Sequence, residues 1–308
     1  MGRAGSGVMS KNDERRFADL YRSGASRREW HGAFPGVSDG VFNGRITKLG
    51  LHRTPRPGRV VGLRPDNAAV VDGRTKFPSM VRDPRDAPAL LQPGQNSAKL
   101  GGVVSKGAWR GFPIYSLTLE ERATCPRSCH NWLACMGNGM QWSWRNRHGP
   151  ELEFLLWVEL VRLQRRHSGG FVVRLHLLGD FPTVAYLDLW ASWLDEFPAL
   201  RVFGYSAWSP DTPIGAAVHG LATRRWDRFA VRLSSTDPGP RRAITLWEMP
   251  PKQCNRNGIA LPPITCPAQL GRTKSCGSCG ICWSPAAQER TIAFIAHGPV
   301  AGRKKAAS

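Results

Sequence analysis

The 308-residue chain has no run approaching the roughly 18 consecutive apolar residues that a membrane-spanning helix requires. Its opening stretch, MGRAGSGVMSKNDERRF, lacks the apolar core of a secretory signal. Both absences point to a soluble, cytoplasmic protein without a membrane partner. No internal repeat and no extended low-complexity segment is present, which excludes solenoid and fibrous architectures. Acidic residues are scarce: 23 Asp and Glu stand against 43 Lys and Arg, a formal net charge of +20. Such an excess repels itself unless a polyanion neutralises it, so nucleic acid is the leading partner, although arginine-rich chains also drift basic without one. Cysteine is missing from the first 124 residues, and seven of the eight cysteines fall in two tight groups. In a reducing compartment, grouped cysteines read as thiolate ligands rather than as a disulfide framework.

What is present describes a globular body, with 41% hydrophobic and 21% charged residues. Residues 1–95 form a basic region broken by proline and glycine. The first hundred residues carry 18 Lys and Arg against 9 Asp and Glu, and only ERRFADLYRSG has helical spacing, so an irregular lobe or arm is expected. Residues 96–240 alternate apolar strands with amphipathic helices. FPIYSLTL, FVVRLHLLGD, LRVFGYSA and FAVRLSS read as strands. PELEFLLWVELVRLQRRH, TVAYLDLWASWLDEF and TPIGAAVHGLATRRW read as helices, the first with Pro150 at a favourable N-terminal position. This alternation predicts an α/β fold with a parallel sheet closed, or partly closed, into a (β/α) barrel. Residues 241–308 form a cysteine-rich metal-binding region ending in TIAFIAHG, a further edge strand.

Five constellations are candidates for chemistry. TCPRSCHNWLAC holds Cys125, Cys129 and Cys135 in a loop directly after the first strand, where barrel enzymes assemble their active sites. Three ligands leave one position of a bound metal open for substrate or cofactor; His130 or Cys254 would instead close the site as structural zinc. The second group, Cys266, Cys276, Cys279 and Cys282, spaces four soft sulfurs around turn-forming Gly277 and Gly280, which suits zinc or an iron–sulfur cluster. In RLHLLGD, His176 and Asp180 stand near a strand end as catalytic candidates, with Gly179 permitting close backbone approach. Gly-Asp is also ordinary turn chemistry, and a buried histidine is more often core. Ser206 closes the next strand and Ser234 and Ser235 the one after, marking a polar rim or capping helices. Trp142, Trp144, Arg145 and Arg147 interleave aromatics with cations, a pattern that stacks bases and holds phosphates or simply packs on the barrel.

The run from SAKLGG through SLTLEERATCPRSCHNWLACMGNGM, RLHLLGDF and CPAQLGRTKSCGSCGICW, covering most of residues 95–297, resembles an uncharacterised family of phage and bacterial proteins sometimes labelled after a mycobacteriophage gene product. That resemblance implies a phage or prophage origin, the host cytoplasm as location, and a role in processing DNA. The core also resembles the radical S-adenosylmethionine superfamily. There, three cysteines after the first barrel strand bind a [4Fe–4S] cluster whose open iron takes S-adenosylmethionine, and a Gly-Gly-Glu-like motif ends the second strand. By this resemblance Cys125, Cys129 and Cys135 hold the catalytic cluster, Gly179, Asp180 and Ser206 contact the cofactor, and the C-terminal cysteines hold a second [4Fe–4S] cluster or zinc. The departures are five residues rather than two between the second and third cysteines, Ala134 in place of an aromatic, and Asp180 in place of glutamate. A further resemblance is to the tRNA-guanine transglycosylase class and its phage DNA relatives, with Asp180 catalytic and zinc on Cys276, Cys279, Cys282 and His297. The expectation is a metal-dependent enzyme acting on nucleic acid, DNA before RNA, with base exchange and non-catalytic zinc-stabilised binding as alternatives.

Overall fold

The computed structural model describes residues 9–22, 25, 27–49, 51, 62–247 and 262–296. It divides into two compact units, the first made of residues 1–56 with 269–272, the second of 57–268 with 273–308. The first unit is helical rather than irregular: α1 (Lys11–Arg22), α2 (Arg27–Ala33) and α3 (Asp39–Lys48) surround an aromatic core of Phe17, Trp30, Phe34 and Phe42. Phe17 touches all three of the others, stacking on Phe42 at 5.0 Å and meeting Trp30 edge-on at 5.4 Å. Rings of this size bury enough apolar area to order three short helices. The segment HRTPRPGR and the tail GRKKAAS lie outside the described residues, as do Cys254 and His297.

The second unit begins with a short helix α4 (Ala68–Val71), then β1 (Val81–Arg82), β2 (Gln92–Pro93), β3 (Ile114–Ser116) and β4 (Arg145–Asn146). The regular part follows: α5 (Pro150–Arg166), β5 (Phe171–Leu175), α6 (Val184–Glu196), β6 (Leu200–Ser206), α7 (Pro213–Arg224) and β7 (Phe229–Ser235). It closes with β8 (Arg242–Leu246), β9 (Ile264–Thr265), α8 (Cys276–Cys279) and β10 (Ile292–Ile295). Helix starts are written in the sequence. Pro150 and Pro213 open α5 and α7 at positions that need no N–H donor, and the side chains of Thr183 and Thr212 cap α6 and α7.

The main sheet has the order β2-β3-β5-β6-β7-β8-β10-β9, antiparallel only at β2–β3. The fold is therefore mixed α/β with a mostly parallel sheet. The ladder ends at β2 and β9, and no pairing between those edges closes a barrel among the described residues. TIAFIAHG, expected at an edge, supplies the interior strand β10, and the edge is the two-residue β9. The C-terminal region is thus part of the sheet rather than an appendage to it.

From β3 to β10 the parallel strands lie in chain order. With right-handed crossovers such an order sends every connecting helix to one face. The other face cannot stay bare, because β5, β6 and β7 are apolar on both sides. The segment after α8 covers it: Trp283 packs on Phe203 of β6 (4.6 Å) and stacks on Trp109 (5.2 Å, 9° between planes), while Arg232 of β7 donates to the carbonyls of Cys282, Ala287 and Arg290. Gly170, at φ 147°, leads into β5 with no room for a side chain, since a Cβ there would stand 2.2 Å from the Phe112 ring. Gly170→Ala should lower unfolding free energy by about 1–3 kcal/mol, seen as a fall in the urea midpoint; an unchanged midpoint would mean that β5 can shift freely.

Candidate functional site

The C-terminal ends of β3 and β5 continue side by side beyond the named strands. The N–H of Leu177 donates to Leu117 O (2.9 Å), and that of Leu119 donates to Leu178 O (3.0 Å). The chain then leaves β3 into the cysteine loop and leaves β5 through Gly179, at φ 82°. A Cβ at Gly179 would lie 2.7 Å from both Leu119 Cβ and Thr124 Oγ1. Only glycine allows this approach. It brings the Asp180 N–H within 3.1 Å of Thr124 Oγ1, one residue before Cys125.

Asp180 is 2% exposed. Its Oδ1 accepts from the N–H of Phe181 (2.8 Å) and its Oδ2 from the N–H of Ala207 (2.6 Å), and Ser206 also hydrogen-bonds it. Burial outweighs these bonds and raises the carboxyl to about 7. Gly179, Asp180 and Ser206 therefore meet at one point, joining the ends of β5 and β6 to the cysteine loop.

Cys125, Cys129 and Cys135 are free, partly buried thiols. Burial is the main reason all three are held above the ordinary thiol range, Cys129 at about 11. Asp180 and the other two thiols add to the rise at Cys125, and Cys135 and Asp180 add to that at Cys129. The three sulfurs and the carboxylate thus share one electrostatic environment, and each negative charge there opposes the next. The loop is fixed from within. Arg122, at φ 64° and 3% exposed, donates to Trp132 O (3.1 Å) and Asn138 Oδ1 (2.6 Å), while Asn138 Nδ2 donates to Leu133 O (2.9 Å). Arg145, fully buried, forms a two-pronged ion pair with Glu121 (2.8 and 3.0 Å) and donates to the carbonyls of Gly137, Met140 and Ser143. This places Arg145 inside the protein as a loop clamp, unavailable to nucleic acid. Trp142, Trp144 and Arg147 are exposed.

His176 occupies a different setting. It is 4% exposed under α6, with Nε2 3.2 Å from the Tyr186 hydroxyl and Nδ1 without a hydrogen-bond partner among the described residues. Burial first, then Arg174 and His148, push its imidazole down to about 3, so it is neutral.

The second cysteine group lies on the sheet face opposite the helices. Ser275 caps α8 with a reciprocal Ser275–Ser278 box, and Gly280 ends it at φ 70°. Cys276 is raised to about 12 by burial and by Cys282, Cys266 and Cys279, against the opposing Arg174. Cys282 is raised to about 11 by burial, with the Tyr205 hydroxyl donating to its sulfur at 2.8 Å and Arg232 nearby. Arg174 and Arg232 carry a signal in the sequence, since an arginine inside an apolar strand, in both FVVRL and FAVRL, is a legible sign of an anionic or carbonyl partner; Tyr205 carries none.

Among the described residues, no group of three or more His, Cys, Asp or Glu side chains stands in the arrangement of a metal site. A thiolate is unfavourable where burial is substantial, so the donor type alone is compatible with a soft cation. His130 is exposed. The chain matches no family model, no curated protein and no solved structure.

The two buried titrating groups act on stability in opposite directions. Asp180 is raised from 3.8 to about 7, so its contribution is complete below pH about 4 and lost as pH rises towards 7. His176 is lowered from 6.5 to about 3, so its contribution is complete above pH about 6.5 and lost on acidification. Between pH about 4 and 6.5 the two slopes, each approaching 1.4 kcal/mol per pH unit, should nearly cancel in the metal-free protein. Asp180→Asn should then lose stability on acidification and His176→Gln on alkalinisation, measured by urea unfolding across that window. Superimposable wild-type and Asp180→Asn profiles would contradict the assignment.

Proposed function

We propose that the protein is an enzyme with a thiolate-bound metal centre on Cys125, Cys129 and Cys135, of the radical S-adenosylmethionine kind, acting on nucleic acid or a nucleotide-derived substrate. The observation that carries this reading is the electrostatic coupling of Cys125 and Cys129 to thiols of the same loop and to Asp180, whose N–H donates to Thr124 one residue before Cys125. The chain-order sheet with one face filled supports a partial barrel, whose C-terminal strand ends share one mouth. Three soft sulfurs suit a [4Fe–4S] cluster with one iron left open, and S-adenosylmethionine is the cofactor that such an opening takes. When bound, the pair supplies one-electron reduction of a sulfonium, which is the cofactor's chemistry and not the protein's.

The chain's own contribution is holding and shielding. Arg122, Asn138 and the Glu121–Arg145 pair keep the loop closed around its thiols. The Asp180 carboxyl, titrating at about 7, accepts hydrogen bonds from an amino group or ribose while Ser206 and the Ala207 N–H fix its orientation. Gly179 lets the β5 backbone approach the same point. Cys266, Cys276, Cys279 and Cys282 hold a second cluster or zinc, with half-buried Arg174 and buried Arg232 as counter-charges. The net charge of +20 supports a nucleic-acid substrate, and modification of DNA is the activity that fits best.

Purification without oxygen should yield iron, acid-labile sulfide and a broad brown absorbance. Replacing Cys125, Cys129 and Cys135 together by Ala should remove the component that supports reductive cleavage of S-adenosylmethionine, while Cys276→Ala should spare it. One zinc per chain in a colourless, redox-silent protein would discard this reading.

A further inference from the structure

A cleft of about 660 Å³ is lined by Val81, Arg82, Asp83, Asp86, Pro88, Trp144 and Arg147. Both residues of β1 line it, and β1 pairs in parallel with β4, so that Arg82 faces Asn146 and the Arg147 N–H donates to Arg82 O (3.0 Å). Arg82 is held by Asn146 Oδ1 (2.8 Å), and its guanidinium lies over the Trp144 ring at 5.6 Å. A planar cation therefore backs an indole that is still 49% exposed. An exposed aromatic face, pre-ordered from behind, is what an unpaired base stacks on.

The charges sort the rest of the ligand. Arg147 is exposed and close enough for its charge to act on Asp83, but Asp83 is bonded to Arg85, which leaves the Arg147 donors for a phosphate, whereas Asp86 would repel one. Asp83 is already engaged by Arg85 (2.9 and 3.1 Å), which leaves Asp86 to accept from the N–H groups of a base edge. A base inside and its phosphate on Arg147 satisfies both signs.

The cleft is also joined to the proposed reaction centre. Asn146 bridges to Leu119 and its N–H donates to Thr118 O (3.1 Å), while Leu119 pairs with Leu178 just before Gly179 and Asp180. Two strand steps separate β4 from the Leu178–Asp180 segment and a third separates β1 from it, roughly 10–15 Å in all.

From these observations we infer that the Arg82–Trp144–Arg147 cleft is a subsite for one unpaired nucleotide of a single-stranded or locally opened nucleic acid. It rests on the enzymatic reading only for its purpose; the binding itself does not require the metal. The test is fluorescence anisotropy of the full-length protein with labelled single-stranded DNA and RNA of the same sequence, repeated across salt concentrations. Trp144→Ala should weaken binding by about fivefold to a hundredfold, and Arg147→Gln should lower the salt slope by about one. Trp142→Ala, at a tryptophan outside the cleft, should change affinity far less. Far-ultraviolet circular dichroism checks that each variant is folded. Equal losses at the two tryptophans, or wild-type protein that binds neither strand at low salt, would overturn the inference. A protein that binds single strands through Trp144 but carries no metal keeps the cleft and discards the enzyme. One that carries iron yet binds equally well without Trp144 does the reverse.

Discussion

The close approach of β3 and β5 at their C-terminal ends governs the second unit. One backbone hydrogen bond, Leu119 N–H to Leu178 O, holds two chains together where they are about to diverge. A glycine at φ 82° then lets one of them press against Thr124. Without that contact Asp180 would keep its bonds to Phe181, Ser206 and Ala207 but lose its tie to the cysteine loop. With it, Asp180 at the end of β5 is tied through its N–H to Thr124, one residue before Cys125, and through its carboxyl to Ser206 and Ala207 at the end of β6. Loops carry the reactive groups and the sheet sets their positions, which is the usual division of labour in α/β proteins.

Buried arginines do much of the remaining organisation. Arg122 and Arg145 spend their donors on carbonyls and carboxylates of the first cysteine loop, and Arg232 does the same for the segment around Cys282. A buried ion pair such as Glu121–Arg145 adds little net stability over an apolar replacement, because desolvation offsets attraction. Its value lies in direction: guanidinium geometry accepts one arrangement of the loop and rejects others. The two cysteine-bearing segments thus share a feature, an arginine that fastens their backbone carbonyls.

Much of the regular architecture was legible in the sequence. Proline and threonine at helix starts, a glycine pair after α5 and apolar runs of strand length locate α5 to β7 closely. What eluded reading depended on contacts between distant segments. Helices α2 and α3 are short and contain glycine, so only the shared aromatic core of the first unit orders them. The interior position of β10 follows from a neighbour, β9, too short to see. In QWSWRNRH, successive residues of an extended chain point to opposite sides, so Trp144 faces out while Arg145 faces in. Their alternation looked like one surface and is two. Gly179, Asp180 and Ser206 were legible as polar strand ends, but their meeting with Thr124 was not, since nothing local announces which loop crosses which.

The central claim is that Cys125, Cys129 and Cys135 act as one ligand set. It is tested most directly by the rates at which each thiol is alkylated, resolved by mass spectrometry, in protein purified without oxygen before and after chelation. A single ligand set predicts that the three are protected together, and that replacing any one of them by Ala exposes the other two. Independent rates, unchanged by chelation or by loss of a neighbour, would contradict it.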